Sequence, residues 1–296
     1  MIFEEYSAYY IDSKKSDIRP ASYAKYVNDC KVINRYLGTK DITEITAPVI
    51  REFVNIRLNS AAVKTVKCEV TLLKSILNAA SESGLCNACT VRIKYPSARH
   101  KYKILNDDEF DRLYEYCRKY CSYINTVILI AMNTGMRIGE ICALKMSDID
   151  FEKDVISVSR TVEVYTDPDT NTYHCDISDT KTAAGIRDIP ITEDFSGLLK
   201  ERLGKLKPEH YIFTLRGPLD PNNVRSAYKK VLLKCGIEHL PFHSLRHSFA
   251  TRMIERGVDP KTAAAFLGHS DCNITLNIYT NCTEKMKRDA LHKMWG

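Results

Sequence analysis

Along most of this 296-residue chain the apolar residues recur every three or four positions, and the interval drops to two in one region only. Intervals of three and four line up side chains on one face of a helix, and intervals of two line them up on one face of a strand. In PASYAKYVNDCKVINRYLG, Tyr23, Tyr26, Val27, Cys30, Ile33 and Leu37 form such a helical stripe, with Pro20 near the start and Gly38 as the stop. TAPVIREFVNIRL and AAVKTVKCEVTLLKSILNAASESG repeat the pattern, the second running to Gly84. The period-two region is VISVSRTVEVY, where Ile156, Val158, Val162 and Val164 share a face. Turn residues TDPDTN follow, then a second strand and a hairpin-like piece around Gly185 in DTKTAAGIRDIPI. From Leu198 onward the pattern is helical again. The fold class expected is therefore mainly α with a small antiparallel β-sheet.

Composition divides the same chain in two. Residues 1–103 carry 17 Lys and Arg against 10 Asp and Glu, and residues 104–296 carry 26 against 27. The whole basic excess lies in the first third, as expected where a polyanion such as nucleic acid is bound. We read residues 1–95 as a helical bundle with Lys64, Lys67 and Lys74 off the apolar stripe of its last helix. Residues 96–103, basic and aperiodic after Pro96, read as a linker, and residues 104–296 as a second domain. No apolar run reaches the roughly 18 residues of a membrane span, and the acidic, aromatic start MIFEEYSAYYIDSKK is no signal peptide. Eleven cysteines without framework spacing point to reduced thiols and a cytoplasmic location. CNAC, from Cys86 to Cys89, has the spacing of half a zinc site but finds no second pair.

The second domain concentrates the chemistry. Asn106 caps a helix whose first turn is acidic. Gly135 then breaks two helices immediately before Arg137. In PFHSLRHSFATRMIERGVDPKTAAAFLGHS, His243 and Arg246 are three apart and share a helix side, with Leu245, Phe249 and Met253 as the expected buried stripe and Gly257 as the stop. Asp259 and Pro260 start another helix that ends at Gly268, just before His269. In CNITLNIYT, Ile274 and Ile278 make an apolar stripe that Tyr279 can leave. Arginine forks neutralise phosphate oxygens, histidine or lysine moves protons, and a tyrosine hydroxyl can attack phosphorus. Taken singly, each of these is an ordinary surface or structural residue. Lys145 and Lys153 rival Lys181, Tyr173 and Tyr211 rival Tyr279, and His247 reads as structural.

The joint pattern resembles the catalytic domain of the tyrosine recombinases, the integrases of phages and transposons. NTGMRIGEICAL matches the first arginine box, TKTAAGIRDIPI the sheet lysine, HSLRH and LGHS the second box, and YT the nucleophile. The wording around the second box is most similar to integrases of Gram-positive phages and conjugative transposons. The resemblance implies that Arg137 and Arg246 clamp a scissile phosphate and that Lys181 protonates the leaving 5′-hydroxyl. It implies that His243 and His269 bond the phosphate and assist proton movement. Tyr279 would attack to leave a 3′-phosphotyrosyl link, and Glu140 would brace the first box. No ATP, metal or other cofactor is implied. The partners implied are double-stranded DNA core or attachment sites, a homo-tetramer on that DNA with exchange of the C-terminal tail, and an accessory bending or directionality protein, but no membrane. The N-terminal bundle would be the core-binding domain, and the protein would act on the bacterial nucleoid. A topoisomerase-like relaxing enzyme and a non-catalytic DNA-binding regulator of the same fold are the alternatives.

Overall fold

The computed structural model of the protein describes residues 1–88, 90–96, 103–180, 185–215, 217–268 and 294–295. The chain divides into two compact units, one of residues 1–100 with 165–174, the other of residues 101–164 with 175–296.

The first unit is built on four helices: α1 (Phe3–Ser13), α2 (Pro20–Leu37), α3 (Ala47–Leu58) and α4 (Val63–Glu82). Proline at N1 starts α2 where its missing N–H costs nothing. Phe3, Ile33, Ile50, Phe53, Leu73 and Ile76 close the core, each nearly inaccessible to solvent. Lys64 and Lys67 of α4 face solvent, whereas Lys74 is half-buried and donates from Nζ to the Val91 carbonyl at 2.7 Å. One charged pair lies inside: the Arg57 fork donates to both carboxylate oxygens of Glu69 at 2.9 and 2.7 Å.

The second unit is organised around α6 (Tyr123–Thr134), which is buried on nearly every face, as the all-apolar run VILIAM requires. Against it pack α5 (Asp107–Lys119), α9 (Pro221–Lys234) and α10 (His243–Glu255). The short α7 (Ile138–Cys142) follows α6, α8 (Glu193–Leu203) follows the strands, and α11 (Pro260–Leu267) follows α10. Asn106 caps α5 in a reciprocal box with Glu109. On α10 the buried apolar positions are Leu245, Ala250 and Ile254. Phe249 and Met253 are only half-buried, because their side of the helix lines an open groove of about 420 Å³ with Phe110 and Val258.

The strands differ from expectation in their pairing. The period-two region splits at Ser159 into β2 (Val155–Val158) and β3 (Arg160–Thr166). β2 is central to a three-stranded antiparallel sheet, with β1 (Ile149–Asp150) on one side and β5 (Arg187–Pro190) on the other. β3 pairs instead with β4 (Tyr173–Asp179). β5 thus pairs with β2 and not with β4. Ile189 sits opposite Ile156, and both are fully buried. That burial is worth about 1.5–3 kcal/mol for each side chain, and it fixes β5 on β2.

Candidate active site

The site starts at a turn that only glycine allows. Gly135 closes α6 in the left-handed region, with φ 63°. A Cβ there would lie 2.5 Å from Cδ1 of Phe249 and 2.8 Å from Cδ2 of Leu267. α6, α10 and the end of α11 therefore meet closely at this point. Arg137 follows as the N-cap of α7, its backbone N–H bonding Oε2 of Glu140 at 2.9 Å. α7 can sit tightly on β3 because position 139 is glycine: a Cβ would meet Oγ1 of Thr161 at 2.5 Å and the Val162 carbonyl at 2.7 Å.

Three guanidiniums converge here. Arg137 donates from Nη1 to Oε1 of Glu140 at 2.7 Å, and its side chain remains 41% exposed. Arg246, on α10, is 3% exposed and donates from Nη1 to the Gly135 carbonyl at 2.8 Å. The third is Arg187 at the start of β5, which donates to Oε1 and Oε2 of Glu140 at 3.2 and 2.9 Å. His243, one turn before Arg246, is exposed, and its ring meets that of half-buried His247 edge-on at 4.6 Å.

The C-terminal end of α11 joins all three. Its last carbonyls have no partner within the helix and carry the negative end of the dipole. The Phe266 carbonyl accepts from Nε of Arg187 at 2.8 Å, Leu267 from Nη2 of Arg246 at 2.5 Å, and Gly268 from Nη2 of Arg137 at 3.2 Å. Three consecutive carbonyls are thus held by three arginines from three separate segments. Gly268 turns the chain with φ 62° directly before His269.

Electrostatics follow from this crowding. Burial alone would raise the Glu140 carboxyl, but the Arg187 bonds and charge, then Arg137, outweigh it and hold the group below its ordinary value. Burial, and then the charge of Arg137, pull the Arg246 guanidinium down to about 9, with Glu140 opposing. One carboxylate, bonded by two guanidiniums with a third close by, leaves an excess of positive charge, which an anion would relieve. Each arginine has five N–H donors, so the internal bonds of Arg137 and Arg246 do not exhaust either fork.

Arg137, His243 and Arg246 are therefore brought to one place. Lys181, His269 and Tyr279 lie outside the described residues. Of the rivals, Lys153 pairs with Asp150 at 2.9 Å, Lys145 lies over the Tyr211 ring at 5.2 Å, and Tyr173 is on β4. The sequence reading missed Arg187, whose only signal was an arginine opening the short strand RDIP. Among the described residues no group of three or more His, Cys, Asp or Glu could hold a metal ion, and no helix is long and apolar enough to cross a membrane.

Residues 103–286 match the model of the phage integrase family, and residues 2–57 match the phage integrase N-terminal SAM-like domain. A XerC-like tyrosine recombinase of Caldanaerobacter subterraneus is 30% identical over 93% of this chain and 78% of its own. The Tn1549 transposon integrase, solved in complex with a circular intermediate DNA, shares the fold with a TM-score of 0.81 at 21% identity over 99% of each chain. A lambda integrase tetramer bound to a Holliday junction superposes with a TM-score of 0.69 at 19% identity, over 96% of this chain and 80% of that one. With the arginine cluster, these matches establish that the chain belongs to the phage integrase family, the tyrosine recombinases.

Proposed function

We propose that this tyrosine site-specific recombinase integrates or excises a mobile element, cutting each DNA strand with Tyr279 while Arg137, Arg246, His243, His269 and Lys181 hold the phosphate and move protons. The tyrosine oxygen attacks phosphorus, its proton passing toward a histidine. The bond from phosphorus to the 5′-oxygen breaks, and Lys181 gives that oxygen its proton. A 3′-phosphotyrosyl link stores the bond energy until the 5′-hydroxyl of a partner strand attacks and releases the tyrosine. No ATP or metal enters either step.

The observation that carries this reading is the excess of guanidinium over carboxylate, with Arg137 open to solvent above buried Arg246. A pentavalent phosphorane gathers charge on its non-bridging oxygens, and two fixed forks are suited to it. A relaxing enzyme or an inert regulator is not favoured by the family match. The basic bundle of residues 1–95 would grip core or attachment sites in duplex DNA, with residues 96–103 as linker and 104–296 as catalytic domain. On paired sites four copies would assemble, as the lambda integrase tetramer does on a Holliday junction, and would exchange C-terminal tails. An accessory bending or directionality protein would assist, and the work would take place on the bacterial nucleoid in the cytoplasm.

Covalent trapping tests the reading. The full chain and its Tyr279→Phe variant are incubated with a nicked suicide duplex carrying the joined ends of the element that encodes the chain. An adduct on denaturing gels from the parent alone is expected. No adduct from a parent that binds the duplex tightly would favour the regulator.

A further inference from the structure

Arg187, like Arg246 and unlike Arg137, has almost no face toward solvent. Its side chain is 8% exposed, against 41% for Arg137. All three nitrogens of its guanidinium are engaged: Nε with the Phe266 carbonyl, Nη1 with Glu140 and the Gly185 carbonyl at 3.1 Å, and Nη2 with Glu140. A phosphate arriving from solvent meets Arg137, not Arg187. Yet Arg187 touches three segments at once. Glu140 belongs to the box that carries Arg137, Phe266 stands three residues before His269, and Gly185 four residues after Lys181.

We propose that Arg187 is a positioning residue of strand cleavage, locking Glu140, and through it the Arg137 fork, in register with the C-terminal end of α11. This rests on the reading of the site given above. The physical argument concerns geometry in a water-poor place. Glu140 is 2% exposed, and its two oxygens take four donors: the Arg137 N–H, Nη1 of Arg137, and two nitrogens of Arg187. Without Arg187, half of those donors vanish, and the carboxylate loses the partner that fixes its plane. Arg137 then keeps its charge but not its seat. The Phe266 carbonyl loses its donor as well, so the tie between β5 and α11 opens beside the two that remain, at Leu267 and Gly268. A planar fork is needed, because a lysine ammonium has no fixed plane with which to bridge Glu140, Phe266 and Gly185 together. Displacement of a catalytic group by about 1 Å can cost on the order of 100-fold in rate, while affinity for DNA, which is spread over many phosphate contacts, barely changes.

The test is single-turnover cleavage of the suicide duplex at saturating DNA, with duplex affinity measured alongside. The parent, Arg187→Gln, Arg187→Lys, Glu140→Gln and the double Arg187→Gln/Glu140→Gln are compared, all as full chains. Arg187→Gln is expected to bind within about threefold of the parent but to cleave about 10–100-fold more slowly. Arg187→Lys is expected to recover only a few-fold of that loss. The double variant should be no slower than the worse single one, because both act through one contact. A merely structural role would lower the fraction of active protein, read as the final adduct yield, and leave the rate constant alone; that result overturns the proposal. So does a rate constant within about twofold of the parent for Arg187→Gln, or a full recovery by lysine. Should Arg187→Gln be insoluble, Arg187→Lys carries the same comparison. A parent that forms no adduct defeats the reading of the site, and this proposal with it. A normal parent with unaffected Arg187 variants defeats the proposal alone.

Discussion

Each unit buries a carboxylate beside arginine, and the two arrangements are built to opposite ends. In the N-terminal bundle Glu69 on α4 meets Arg57 on α3, fork to carboxylate, one charge against one, with Glu69 1% and Arg57 12% exposed. In the second unit Glu140 is just as buried but receives two arginines, and a third lies beside them. A balanced pair asks for nothing from solution. An unbalanced cluster carries positive charge in a place where water screens it poorly, and it gains when an anion binds. The same side-chain chemistry serves as a fastener in one unit and as a receptor in the other, and the difference is stoichiometry.

The largest expected difference is in catalysis. Arg137→Ala and Arg246→Ala should each slow single-turnover cleavage by about 100–1,000-fold, as loss of one transition-state donor does. Arg57→Ala should leave the rate constant of its folded fraction at the parental value. A cleavage defect in Arg57→Ala beyond its loss of folded protein would break the distinction between fastener and receptor.

Stability separates the pairs next. Glu69→Ala leaves the Arg57 guanidinium little exposed and without its carboxylate, and should cost about 3 kcal/mol, read from urea unfolding. The double Arg57→Met/Glu69→Leu should restore most of it, since well-packed apolar side chains often replace a buried ion pair at little cost. No such apolar replacement at Arg187 and Glu140 should restore cleavage, because the receptor needs the charge that the fastener only tolerates.

An anion sharpens the contrast further. Sulfate at ten times its dissociation constant would add about 1.4 kcal/mol to the parent, a rise of a few degrees in melting temperature for a domain of this size, on the order of 2–4 °C per kcal/mol. Arg137→Gln should shrink that rise, whereas Arg57→Gln should not. Equal rises in all three proteins would mean that sulfate acts by exclusion from the surface rather than by seating in the cluster.

The contrast also bears on what a sequence shows. Helix spacing and caps were legible because they are local: Asn106, Asp259, Gly135 and Gly268 all act within a few residues of themselves. The meeting of Arg137, His243 and Arg246 was legible through family resemblance rather than periodicity. Strand pairing was not, because the choice of β2 over β4 as the partner of β5 depends on the match of Ile189 with Ile156, distant in the chain. Arg187 escaped for a related reason. Nothing near it in sequence reports that its partners are Glu140 and Phe266, 47 and 79 residues away. Met253 and Phe249, expected in the buried stripe, are only half-buried because a helical stripe shows which side faces inward, not how tightly that side is covered.

Acid offers the finest test of the comparison. The arginines hold the Glu140 carboxyl below its unfolded value of about 4.5. The unfolded chain therefore binds the proton first as pH falls. The contribution of this group to stability is complete above about pH 4.5 and disappears as pH drops through the folded value beneath it. One proton sets the ceiling on the slope, about 1.4 kcal/mol for each pH unit. Urea unfolding of the parent between pH 5 and pH 3 should accordingly show a steeper loss of stability than Glu140→Gln, which has no proton to take up at that position. The two curves should run parallel above pH 5 and draw together below 4.5. Arg187→Gln should shift the convergence upward in pH, because one of the two cations holding the carboxyl down has gone. Parallel curves throughout would mean that the arginine cluster does not hold the Glu140 carboxyl below its unfolded value.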